Sequence, residues 1–291
     1  MVATSISEAF LLLAHRLNSW WYKLIRLKLF YTMRLFCLPI VLFAFSILAT
    51  VSMAQQRVDA DEIIRQINQG QTVSYENVEI IGDLDLTNLD NRERTSSSEG
   101  WFGFGDSDTY ESIVEASVNF INCTFLGDVI AYYRDDREEE TFIAHFEDDA
   151  VFRKCTFRES CEFKYSEFSE DADFMGSVFG EEANFKYAEF SESPSFAQAV
   201  FEDEANFKYA EFPTETSFTA VVFEDEANFK YAEFPRGASF EESVFNDLAN
   251  FKYAKFRSPL NIENISFNGD EDFKYTKIDG RSFTSYLLNN L

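Results

Sequence analysis

Between residues 150 and 256 the chain repeats one triplet: a small residue, an intervening residue, then phenylalanine. Twenty phenylalanines, from Phe152 to Phe256, recur at alternating spacings of 5 and 6. Two positions before each stands a compact partner, such as Ala150, Cys155, Cys161, Ser166, Ala183 or Ala205. Pro194 and Val221 are the largest departures. The middle residue is polar on three of every four occasions, as at Asn184, Glu189 and Asn206. On the fourth it is Val178, Val200, Val222 or Val244.

A period of 11 has two physical readings. One is a helix of 11 residues in three turns, which needs an apolar stripe at i, i+3, i+4 and i+7. Two phenylalanines five apart lie roughly 140° apart around a helix, at ~100° per residue, and share no stripe. The other reading is short strands joined by corners, in which residues two apart face the same way. Each triplet then places its small residue and its ring in one interior. Pro194 is tolerable there as the first residue of a strand.

Above the triplet sits a 22-residue repeat. Phe163-Lys-Tyr-Ser-Glu-Phe168 returns as Phe-Lys-Tyr-Ala-Glu-Phe at 185, 207 and 229, then with Lys in fifth place at 251 and 273. Four triplets make one coil, and a coil cannot bury its apolar face without neighbours, so the coils must stack. Ala183-Asn184-Phe185-Lys186-Tyr187 resembles the pentapeptide-repeat family, and Ala188-Glu189-Phe190 resembles it with Glu in second place. The resemblance implies an all-β fold: a right-handed quadrilateral β-helix over 73–281. The usual family coil has strict fives. This chain adds two residues per coil, in alternate corners such as Ser191–Ser193 and Glu202–Glu204.

The first 54 residues differ in kind. They hold five of the 25 basic residues and one of the 51 acidic ones, leaving 20 basic and 50 acidic beyond them, a net −30. Leu35 to Ala54 is uncharged and mainly apolar, with Arg34 before it. Ser52-Met53-Ala54 suits signal cleavage after Ala54, while the run's length also suits an uncleaved transmembrane anchor. Met33 is a second possible start. The basic, aromatic stretch from Leu11 to Tyr31 could lie on a membrane surface. Both readings export the acidic portion, to the periplasm or the outer face of a membrane. A polyanion of this kind is not expected to bind nucleic acid directly.

Residues 55–72 read as a short cap helix, with Asp59 or Asp61 at its start, Ile63, Ile64 and Ile67 on one face, and Gly70 at its end. Two insertions interrupt the coils, near 90–113 and at 132–140. The first carries Trp101, Phe102 and Phe104, a candidate partner contact or a folded-back flap; the second reads as a charged, solvated loop. Residues 282–291 read as a C-terminal cap, and Phe283, Leu287, Leu288 and Leu291 could cover the last coil or, as the resemblance implies, form a homodimer contact.

Candidate chemistry is sparse. His145 reads as a surface residue, and Cys123, Cys155 and Cys161 read as small packing residues. No catalytic residue, cofactor site or metal site is expected. The 22-residue period aligns Lys186, Lys208 and Lys230 in one outer column and Tyr187, Tyr209 and Tyr231 in the next. Such a ladder could bind a glycan or a protein strip, or simply stabilise the sheet by self-stacking. Acidic corners such as Glu202-Asp203-Glu204 could bind calcium. The functional expectation is a non-enzymatic, exported scaffold or interaction rod with an unidentified protein partner. The alternatives are calcium or glycan binding through the ladders, and, from the resemblance, a DNA-mimic inhibitor of an enzyme such as a topoisomerase.

Overall fold

The computed structural model describes residues 55–95 and 108–290. The apolar run 35–54, the stretch 11–31, the Trp101, Phe102 and Phe104 segment and Leu291 lie outside the described residues. Among the described residues no helix is long and apolar enough to cross a membrane.

From Val73 to Ile278 the chain winds as a stack of coils, each side a ladder of short parallel strands. The register is 22: Phe179 pairs with Phe201, Ala183 with Ala205, and Glu167 with Glu189. Four ladders result, named here by their outward columns. The valine side carries Val178, Val200, Val222 and Val244. The asparagine side carries Asn184, Asn206, Asn228 and Asn250. The glutamate side carries Glu167, Glu189, Glu211 and Glu233. The serine side carries Asp173, Ser195, Ser217 and Ser239.

Both inner residues of each triplet are buried, as at Ala205 and Phe207, and the rings form four continuous columns. Phe207 stacks on Phe185 at 5.1 Å and on Phe229 at 4.9 Å, nearly coplanar with both. It meets Phe196 edge-on at 5.1 Å and Phe218 at 5.4 Å. These spacings follow the ~4.8 Å separation of hydrogen-bonded strands. Stacked and edge-on geometries both suit the ring quadrupole.

The fives and sixes make different corners. After a five, the ring's carbonyl accepts from the N–H three residues on, as Phe185 does from Ala188 at 3.0 Å. Tyr187, third in that turn, has φ 61°, the pattern of a type II turn. The outward Asn starts the turn: Asn184 Oδ1 accepts from Lys186 N–H at 3.2 Å, and Asn206 does the same for Lys208. Small inner Ser and Cys residues reach back one coil. Ser243 Oγ donates to Phe218 O at 2.6 Å and Cys155 Sγ to Phe120 O at 3.4 Å.

Both ends are covered. Helix α1 (Ala60–Asn68) is capped by Asp59, whose side chain accepts from Asp61 N–H, and buries Ala60, Ile63 and Ile67. A strand the hydrophobic pattern does not announce, Gln56–Asp59, precedes it and pairs in parallel with Val78–Ile81, occupying the first exposed edge. Helix α2 (Phe283–Asn290) closes the other end. Phe283 and Leu287 are buried, whereas Leu288 points outward, 81% exposed.

The described parts of both insertions form strands. Residues 132–140, expected as a charged solvated loop, begin a hairpin in which Tyr132–Asp135 pairs antiparallel with Glu140–Phe146. The first insertion contributes Glu93–Thr95, antiparallel to Asp108–Val114. Together they extend the glutamate side into a four-stranded flange, because Asp108–Val114 and Glu140–Phe146 pair along seven residues. A row of Arg94, Tyr110, Phe142 and Tyr133 crosses it; the cross-strand aromatic pairs supply what the small-x-Phe pattern does not.

A lysine and tyrosine ladder as candidate interaction site

The tight corner between the asparagine and glutamate sides carries Lys-Tyr in every coil from 164 to 275. The structure brings Lys186, Tyr187, Lys208, Tyr209, Lys230 and Tyr231 into one continuous strip. Tyr187 stacks on Tyr209 at 4.6 Å with 1° between the planes, and Tyr209 on Tyr231 at 4.7 Å with 2°. The stack continues through Tyr253 to Tyr275. At the other end Tyr132, from the hairpin, covers Tyr165 at 5.8 Å, and Lys164 Nζ donates to Tyr132 Oη at 2.9 Å.

Every tyrosine of this column from Tyr165 to Tyr275 has φ between 61° and 66°. Bulky side chains rarely adopt that region. The ring stack offsets a backbone cost that glycine would avoid. Each lysine folds over its own ring: Lys186, Lys208 and Lys230 Nζ lie 5.2, 5.3 and 5.4 Å from the centroids. Among the described residues none of these three forms an ion pair. Burial lowers the Lys186 and Lys208 pKa values, and neighbouring ladder lysines lower them further. Burial, then the adjacent Tyr187 and Tyr132, push Tyr165 up to about 12.

This geometry limits the ladder's chemistry. A sugar ring binds a tyrosine through its face, and along the ladder each face is occupied by the next ring. The strip therefore presents ring edges, hydroxyls and ammonium groups at the pitch of the strands. Only the last ring, Tyr275, ends the column, and it is 56% exposed.

The acidic corners stack as well. Burial raises the Glu204 pKa, followed by the charges of Glu182 and Glu226 one coil away. Asp203 Oδ1 accepts from Glu204 N–H at 2.7 Å, so part of its carboxylate is committed to the corner itself. Among the described residues no three potential ligands are grouped to hold a metal ion. Glu162 begins the asparagine column; burial, then Glu182, push it up to about 7, against a hydrogen bond from Asn184.

His145 differs from the surface residue expected. It stands in the glutamate column next to Glu167, and its Nδ1 accepts from Glu167 N–H at 3.2 Å. Its Nε2 is buried without a hydrogen-bond partner, and burial lowers its pKa, against Glu111 and Glu167. The ring takes the place of a main-chain acceptor: one coil on, Glu189 N–H donates to Ser166 O. The signal in the sequence was a lone histidine one coil before a run of four glutamates, Glu167 to Glu233. Cys123, Cys155 and Cys161 are buried and free.

A family model described as pentapeptide repeats matches in nine copies, with matches over residues 144–189, 185–233 and 207–255. No curated protein and no solved structure matches the chain.

Proposed function

Because the chain is a pentapeptide-repeat protein, we propose that it works as a non-catalytic interaction rod, with the Lys-Tyr ladder as its contact strip. The observation that carries this reading is the column itself: cations unpaired by other described residues, held at constant pitch on a surface whose net charge is otherwise strongly negative. A rigid stack holds such a row straight without further ordering cost, which favours binding. The coil is right-handed, the hand that parallel crossovers adopt. The partner is a protein presenting acceptor groups along an edge. The apolar run at 35–54 exports the rod, by cleavage after Ala54 or as an anchor.

A photo-crosslinking residue at Lys208 in the full chain, in the native host, tests the strip. An adduct formed there, absent when the same residue replaces Ser217 on the serine side, supports the reading. Adducts of equal yield at both positions overturn it. Cell fractionation tests the address, and recovery of an uncleaved chain in the cytoplasm would overturn export. That result would favour the second reading, a DNA mimic, for which the stacked carboxylates of Glu182, Glu204 and Glu226 are the supporting feature.

A further inference from the structure

The glutamate side changes sign along its length. Glu167, Glu189, Glu211 and Glu233 are followed by Lys255 and then Lys277, directly opposite one another in register. Stacked like charges destabilise a ladder, and here the sign of that stack reverses from four carboxylates to two ammonium groups at the C-terminal end. Arg257, Arg281 and Arg236 flank this pair on the adjoining corner and edge, and all five side chains are exposed. Two carboxylates face the group. Glu233 pairs with Lys255. Asp279 accepts from Ser258 N–H and Oγ, and its pKa is lowered first by those bonds, then by Arg257 and Arg281. Lys277, Arg236, Arg257 and Arg281 have no ion-pair partner among the described residues.

An independent feature lies at the same end. Of the large apolar side chains exposed among the described residues, Leu288 at 81% and Tyr275 at 56% are the most open, and both belong to the terminal coil and its cap. Helix α2 follows the Arg281–Ser282 strand, which pairs with Lys277–Ile278, and crosses the end of the coil so that Tyr286 Oη donates to Leu260 O at 2.9 Å; Leu288 is therefore at the same end as the cations. A flat β face bearing cations, with a phenol at its margin and an open aliphatic chain at the same end of the coil, has the composition of a membrane-interface contact.

We propose that the C-terminal end of the glutamate side docks on an anionic lipid surface, with Lys277, Arg257 and Arg281 against headgroup phosphates and Leu288 entering the acyl boundary. Of the acidic residues of the last coil, Glu263 sits in the corner after the serine-side strand, Glu271 on the asparagine side and Asp270 in the corner leading to it. Screening at physiological ionic strength weights the nearest charges most, and at the contact itself five basic side chains face the two carboxylates of Glu233 and Asp279. This goes beyond the interaction-rod reading and uses none of Lys186, Lys208 or Lys230.

The test uses the full chain held in zwitterionic nanodiscs and titrated with anionic vesicles, reading amide hydrogen exchange over residues 277–290. Exchange there is expected to slow with anionic vesicles and to stay unchanged with neutral vesicles or inorganic phosphate. Each cation near such a surface contributes about fivefold in affinity. K277Q/R281Q should therefore raise the half-maximal lipid concentration roughly 30-fold. Leu288→Ser, at an exposed position, should raise it also without altering exchange in the absence of vesicles. Equal slowing by neutral vesicles, slowing by phosphate alone, slowing that follows protein concentration without lipid, or an unmoved half-point in K277Q/R281Q would each overturn the proposal.

Discussion

Residue 209 sets two forces against each other, and substitutions there separate them. Tyr209 sits at φ 63°, between stacked partners at 4.6 and 4.7 Å, with Lys208 Nζ 5.3 Å from its ring. Two aromatic contacts at ~0.5–1.5 kcal/mol each and one exposed cation–π contact at ~0.5–1 kcal/mol put the loss in Tyr209→Ala at about 2–3 kcal/mol. Alanine keeps the left-handed strain, which costs roughly 1–2 kcal/mol for a residue with a Cβ. Glycine removes that strain but orders a freer chain, at ~0.5–1 kcal/mol. Tyr209→Gly should therefore be less damaging than Tyr209→Ala by about 0.5–1 kcal/mol, the reverse of the order in a helix or strand. The companion column supplies the control. Ala220 has φ 56° and carries no ring to lose, so Ala220→Gly should stabilise the fold by a similar amount. Urea denaturation of the full chain, with slopes compared to exclude a change in cooperativity, measures all three. If Tyr209→Ala equals or exceeds Tyr209→Gly in stability, and Ala220→Gly destabilises, the claim that stacking offsets backbone strain is wrong.

Three further outcomes follow from the same geometry. Phe207→Ala, which empties a site stacked on Phe185 and Phe229, should cost about 3–5 kcal/mol, read as a fall in denaturation midpoint; a loss under 1 kcal/mol would mean the ring columns are not the core. Glu162 titrates at about 7 in the folded state, above its unfolded value, so its contribution is full below the unfolded pKa and is lost as pH rises through 7. The partly exposed Glu189, Glu204 and Glu211 are raised in the same direction. The melting temperature should therefore rise on acidification from pH 8 to 6, and Glu162→Gln should flatten that rise. His145 opposes them: its lowered folded pKa means its support is lost as pH falls below its unfolded value, so His145→Gln should lessen any decline below pH 6. In a Cys37→Ser chain, Cys123, Cys155 and Cys161 should resist a soluble thiol reagent until the fold is denatured, because all three are buried; prompt reaction of any of them in native buffer would contradict the packing.

Spacing and residue size along the chain were enough to specify the coil. Period 22, rings at fives and sixes, and a compact residue two before each ring admit one interior, because strand side chains alternate and a narrow tube has room for one large and one small group per side. The same spacing aligned Lys186 with Lys208 and Tyr187 with Tyr209, since register follows from the period alone. What it left undecided depends on backbone dihedrals and on which groups meet across coils. The left-handed turn at Tyr187 is invisible in a string that places no glycine there. The hairpin at Tyr132–Glu140 and the edge strand Gln56–Asp59 take their conformation from unsatisfied hydrogen-bonding groups of neighbouring strands, not from their own pattern. His145 reads as a surface residue until Glu167 N–H is found donating to its ring. Periodicity specifies what repeats; the positions where the repeat stops are decided by partners far away in the chain, and only the folded coil shows which partners those are.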